Sequence, residues 1–127
     1  MDIADLKPQS DLVTVYLKDP RDDSPFMNDD GTQMTINLYA PHSRKYKEIM
    51  YEQTDKRIKD KKQDFKSSEL DEATLTQLVK STESWDITFC CEKPKCTEKK
   101  VREVYEVFWV RTQVEDAINN YEVFTKG

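Results

Sequence analysis

The sequence predicts an α+β fold: an N-terminal antiparallel β-hairpin or ribbon over about residues 12–40, then a bundle of three to four α-helices over about 43–124. Three observations predict it. Apolar and polar residues alternate from Leu12 to Leu17 and again from Met34 to Tyr39, the period of two of a half-buried strand. After Ser43 the apolar spacing becomes three and four, the period of a helix. The change falls within Ala40-Pro41-His42-Ser43. Pro41 lacks a backbone donor and biases Ala40 towards extended geometry, while the Ser43 hydroxyl can take an orphan N–H of a first helical turn. Everything before this joint reads as strand or turn, and everything after it as helix.

At 127 residues the chain makes a single domain, residues 1–127, with room for one modest core. Its charged fraction of 35% nearly equals its hydrophobic 36%, which favours a small domain with much solvated surface. No apolar run approaches the ~18 residues of a membrane span. Met1-Asp2-Ile3-Ala4-Asp5 lacks the basic and apolar parts of a signal peptide, so a soluble protein of the cytosol is expected. The glycines are Gly31 and Gly127 alone, which excludes a glycine-rich phosphate loop. Residues 1–41 hold eight acids and three bases, whereas 42–66 hold nine bases and five acids. A basic first helix flanked by acidic segments differs from the uncompensated basic stripe of nucleic-acid binders, and no nucleic-acid partner is expected.

Residues 1–11 read as a lead-in. In the first strand Val13, Val15 and Leu17 share one face, and Leu12, Thr14 and Tyr16 the other. Lys18 to Pro25, with two prolines, is a loop, and Phe26-Met27 is a candidate short strand. Asn28-Asp29-Asp30-Gly31 supplies turn chemistry, with Gly31 as the turn glycine. The aspartates from Asp19 to Asp30 lack the alternate spacing and terminal glutamate of a calcium loop.

The first helix should run from Ser43 into the low sixties, with Tyr46, Ile49, Met50 and Ile58 as a narrow apolar stripe and an almost wholly charged second half. Ser68 and Asp71 have capping-box spacing for a second helix, whose buried face is Leu75, Leu78 and Val79 and which ends at Ser81 to Ser84. Trp85, just past that end, reads as a core plug in a loop. Cys90, Cys91 and Cys96 invite a zinc comparison, but no second pair follows and His42 is the chain's one histidine, so reduced loop cysteines are expected and no metal is assigned. Thr97 should cap a third helix with Val101, Val104, Tyr105 and Phe108 on its apolar face. Val110, Val114, Ala117, Ile118 and Tyr121 do not continue that phase. A break near Phe108 to Val110 therefore precedes a last helix ending near Phe124, with Trp109 at the joint as plug or partner anchor.

Neither a nucleophile elbow nor a His-Glu-x-x-His pattern occurs, and nothing local marks Cys90 or Cys91 as an activated partner of His42. No catalytic residue and no cofactor is assigned. A non-catalytic interaction protein is the expected class.

Asp30-Gly31, the strand to Tyr39 and Pro41-x-Ser43-x-x-Tyr46 resemble the tail assembly chaperones of long-tailed, siphovirus-type bacteriophages. The resemblance returns at Ser84-Trp85-Asp86 and through Val101 to Phe124, chiefly Val110-Arg111-x-Gln113-Val114-Glu115-x-Ala117-Ile118. It implies a non-catalytic factor of the host cytoplasm, absent from the mature virion, that binds and solubilises the tape measure protein and helps recruit the tail tube protein. It is compatible with a homo-oligomer. The surfaces expected to meet a partner are the basic half of the first helix (Lys56, Arg57, Lys59, Lys61, Lys62) and the apolar edge of the last (Trp109, Val110, Val114, Ile118, Tyr121). The alternatives are another phage morphogenesis or connector protein, or a small zinc-stabilised regulatory or nucleic-acid-binding module.

Overall fold

A computed structural model describes residues 11–59 and 67–121, with side chains over 11–55 and 71–121. The elements run β1 (Leu12–Tyr16), β2 (Thr35–Tyr39), α1 (Arg44–Lys59), α2 (Ser67–Ser81), β3 (Thr82–Asp86), α3 (Glu98–Tyr105) and α4 (Phe108–Asn119). The α+β class is as expected, but the strands are not confined to an N-terminal ribbon. The sheet has three antiparallel strands in the order β1-β2-β3, and β3 follows α2 directly. Trp85 thus sits in a strand, opposite Ile36, rather than in a loop. Backbone pairing with β2 creates β3, helped by an irregularity at Asn37/Leu38 that shifts the register.

The alternation in β1 and β2 works as expected. Val13, Val15, Leu17, Met34, Ile36 and Leu38 are all buried on one sheet face, with Ile36 and Leu38 at 0% exposure. They meet Leu75, Leu78 and Val79 of α2, Val101, Val104 and Tyr105 of α3, and Val110 and Val114 of α4 in one core. Each such aliphatic side chain contributes about 1.5–3 kcal/mol through burial. The opposite face carries a polar row, in which Thr14 Oγ1 donates to Asn37 Oδ1 (2.7 Å) and Asn37 Nδ2 to Ser84 Oγ (3.0 Å). α1 packs chiefly against α2.

Local chemistry sets the boundaries. Ser43 Oγ accepts from Tyr46 N–H (3.2 Å) and donates to Ala40 O (2.7 Å), so it caps α1 as the spacing predicts. The expected continuation of that helix beyond Lys59 falls outside the described residues, as do the side chains of Ile58 and Ser68. The turn at Asn28 closes through Asn28 N–H to Thr32 O, with Gly31 at φ 88°, a conformation that favours glycine. Phe26 forms no strand of its own but bridges β1 and β2: its N–H donates to Leu17 O, and its carbonyl accepts from Met34 N–H. Gln113 of α4 pairs with both backbone groups of Lys18 (2.9 and 2.8 Å), shielding part of the β1 edge. α4 ends at Asn119, earlier than the expected Phe124, and Asn120 N–H bonds back to Asp116 O.

In the 18–25 loop, Arg21 Nη2 and Nε donate to the Asp19 carboxylate at 2.7 and 3.0 Å, and Arg21 N–H donates at 2.9 Å. These bonds, the side-chain pair first, hold the Asp19 carboxyl at about 2. A carboxyl depressed in the folded state stabilises fully above its unfolded value of 3.8, and this support is lost as pH falls towards 2. Asp19→Asn should therefore flatten the acid limb of stability over this window while lowering stability at neutral pH. Denaturant titrations across it check this.

Candidate interaction surface

Thr97, extended at φ −111° and ψ 156°, caps α3 by accepting from Lys100 N–H (3.3 Å). α3 turns Val101, Val104 and Tyr105 into the core and stops after eight residues. Glu106 and Val107 interrupt it. Val107 N–H bonds Val104 O, and the extended Val107 then starts α4 without a side-chain cap. The break is where the apolar phase changes, but its consequence for Phe108 is the reverse of the expected one. Phe108 would continue the α3 face, whereas the break rotates it outward to 81% exposure.

Trp109 turns towards the core. It lies half-buried, its ring meeting Phe26 edge-on at 5.1 Å and 62°. It is thus a plug at the α3–α4 joint. Met27, next to Phe26, is 49% exposed. Met27 and Phe108 are the exposed sequence neighbours of this half-buried aromatic pair. Trp109→Ala should cost about 2–4 kcal/mol, with about 0.5–1.5 kcal/mol of coupling to Phe26 in a double-mutant cycle measured by denaturant unfolding.

The other expected contact residues have different surroundings. Val110 and Val114 are 5% and 0% exposed, so they hold α4 to the core and offer no surface in this conformation. Ile118 and Tyr121 are half-buried against the core. Lys56, Arg57 and Lys59 occupy the last part of α1, their side chains outside the described ones; Lys61 and Lys62 lie outside the described residues. A recess of about 270 Å³ lies between α1 and α2, lined by Tyr46, Met50, Gln53, Ala73, Gln77 and Leu78. Of the α1 stripe, Ile49 is buried and Met50 is 43% exposed. Tyr51 beside it is 63% exposed.

His42 stacks on Tyr121 (5.8 Å, 7°), with Nε2 3.6 Å from Asp11 Oδ1, and both its ring nitrogens are buried without a hydrogen-bond partner. It joins the two ends of the described chain, Asp11 and Tyr121. Asn28, buried, donates to Asp86 O (3.2 Å) and accepts from Thr88 Oγ1 (2.6 Å). Lys93 bridges Asp30 (2.6 Å) and Asp86 (3.3 Å), and its ammonium holds the Asp30 carboxyl well below the usual range. This network ties the 28–32 turn to β3. Cys90 and Cys91 are exposed and Cys96 half-buried, all as free thiols. Among the described residues no group of three or more His, Cys, Asp or Glu is placed to hold a metal ion, and no helix is long and apolar enough to cross a membrane.

No protein-family model, curated protein or solved structure gives a match to this chain.

Proposed function

We propose that this protein is a non-catalytic tail assembly chaperone that binds and solubilises a tape measure protein and helps bring tail tube protein to it. The observation that carries the reading is Phe108, a large apolar side chain 81% exposed on the first turn of α4. A large exposed apolar side chain on a helix held to the core through Trp109, Val110 and Val114 suits the apolar stripe of a long helical client. The sequence resemblance supplies the identity of the client, a helical tape measure protein. Both the host cytoplasm as the place of action and absence from the finished virion belong to this proposal.

Co-expression with tape measure fragments tests it. The soluble fraction of at least one fragment should rise in the presence of this chain. No change across fragments spanning the client, or recovery of the chain from purified virions, would count against the chaperone and favour a structural connector.

A further inference from the structure

Cys90 and Cys91 form the two central residues of a tight hairpin closed in both directions, Phe89 N–H to Glu92 O (2.8 Å) and Glu92 N–H to Phe89 O (3.1 Å). Both cysteines adopt left-handed backbone, φ 54° and 65°. That geometry selects Asn-Gly or Gly-Gly, because a Cβ there crowds the backbone. Cysteine has neither the short amide of asparagine nor the freedom of glycine. Both side chains are exposed, so packing does not offset the cost. Strain held in place by its surroundings points from geometry to use.

The surroundings hold it firmly. Phe89 packs against the core at the hairpin base. Lys93 ties the returning strand to Asp30 and Asp86, and Trp85 Nε1 donates to Pro94 O (2.9 Å). A fixed base therefore presents two neighbouring thiols at an open tip. Adjacent Cα atoms are about 3.8 Å apart, and each thiol swings about a single χ1 bond. The two sulfurs can therefore close on one atom.

We propose that Cys90 and Cys91 are a two-thiol site for soft, thiophilic centres of low coordination number, such as a cuprous ion or a trivalent arsenical. Thiolate pairs select such centres over harder cations. With phenylarsine oxide the reaction balances without electron transfer: two S–H bonds and the As–O linkage break, two As–S bonds form, and the oxygen leaves with both protons as water. Cys96 is excluded from the pair. It is half-buried, and burial pushes its thiol up, disfavouring the thiolate.

Phenylarsine oxide added to the reduced full chain, with intact-mass detection, tests the proposal. One arsenical per chain should persist against excess monothiol and be removed by a dithiol. Closing the second As–S bond within one chain strengthens retention by about 10²–10⁴-fold. Cys90→Ser and Cys91→Ser should each lose that factor, and Cys96→Ser should keep it. These sites are exposed or marginal, so circular dichroism should show all three variants folded. Retention by Cys91→Ser, loss in Cys96→Ser, or an adduct that monothiol strips from the wild type would each overturn the assignment.

Discussion

Tyr105→Ala should cost about 3–5 kcal/mol, a large share of the roughly 5–15 kcal/mol available to a domain of this kind. Tyr105 is 1% exposed and is the largest fully buried side chain among the described residues. Its hydroxyl lies 2.6 Å from Thr82 Oγ1, which donates onward to Leu78 O at 2.9 Å. With the Thr82 proton committed to Leu78, Tyr105 is the donor, so one chain of bonds joins α3, β3 and the end of α2. Burial pushes the phenol far above its usual range, which keeps the donor proton in place at any ordinary pH. Tyr105→Phe separates the two contributions. It keeps the ring and removes the hydroxyl, so it should cost about 1 kcal/mol. Denaturant unfolding of both variants measures the difference, and equal losses would mean that the ring volume contributes nothing beyond the hydrogen bond.

Leu38→Ala is expected to cost about 2–5 kcal/mol. Leu38 lies on the central strand at 0% exposure, paired with Val13 on one side and Thr82 on the other. The cavity would open beside the irregularity in the β2–β3 pairing, under the central strand. A solvent-face change on the same strand, Thr35→Ala, should cost far less, since that position keeps partial access to solvent. Thermal and denaturant midpoints of the pair check that the sheet's inner face supports the fold.

Much of this architecture is legible in the residues because strong local chemistry agrees with burial. Alternation in β1 and β2 assigns the inner face, the Ser43 and Thr97 hydroxyls mark helix starts, and Asp30-Gly31 marks a turn. β3 is not legible. Thr82-Glu83-Ser84-Trp85-Asp86 has one large apolar residue and no alternation, and it becomes a strand because β2 offers backbone partners. The sheet therefore reaches past the helices that were expected to follow it.

The surface was harder to read than the core. Val110 and Val114 look like an apolar edge on paper, but the break at Glu106–Val107 turns them inward and Phe108 outward. A shift of helical phase at an uncapped joint decides this; the apolar spacing marks the break, but no capping residue says which side chains it turns inward. The Cys90-Cys91 hairpin is equally silent, because neither residue belongs to the usual chemistry of positive φ. His42 shows the converse. A lone histidine attracts attention in a sequence, yet its described contacts are a stacked tyrosine and a carboxylate at 3.6 Å.

The proposed hold of Phe108, exposed at the start of α4, on a helical client is tested by Phe108→Glu assayed in parallel for folding and binding. Because Phe108 is 81% exposed, the variant should unfold within about 0.5 kcal/mol of the wild type. Pull-down of a solubilised tape measure fragment should fall by at least about thirtyfold, the loss of an anchor worth roughly 2 kcal/mol. Equal recovery of the fragment by wild type and variant, with both folded, would contradict the claim and move the binding surface elsewhere.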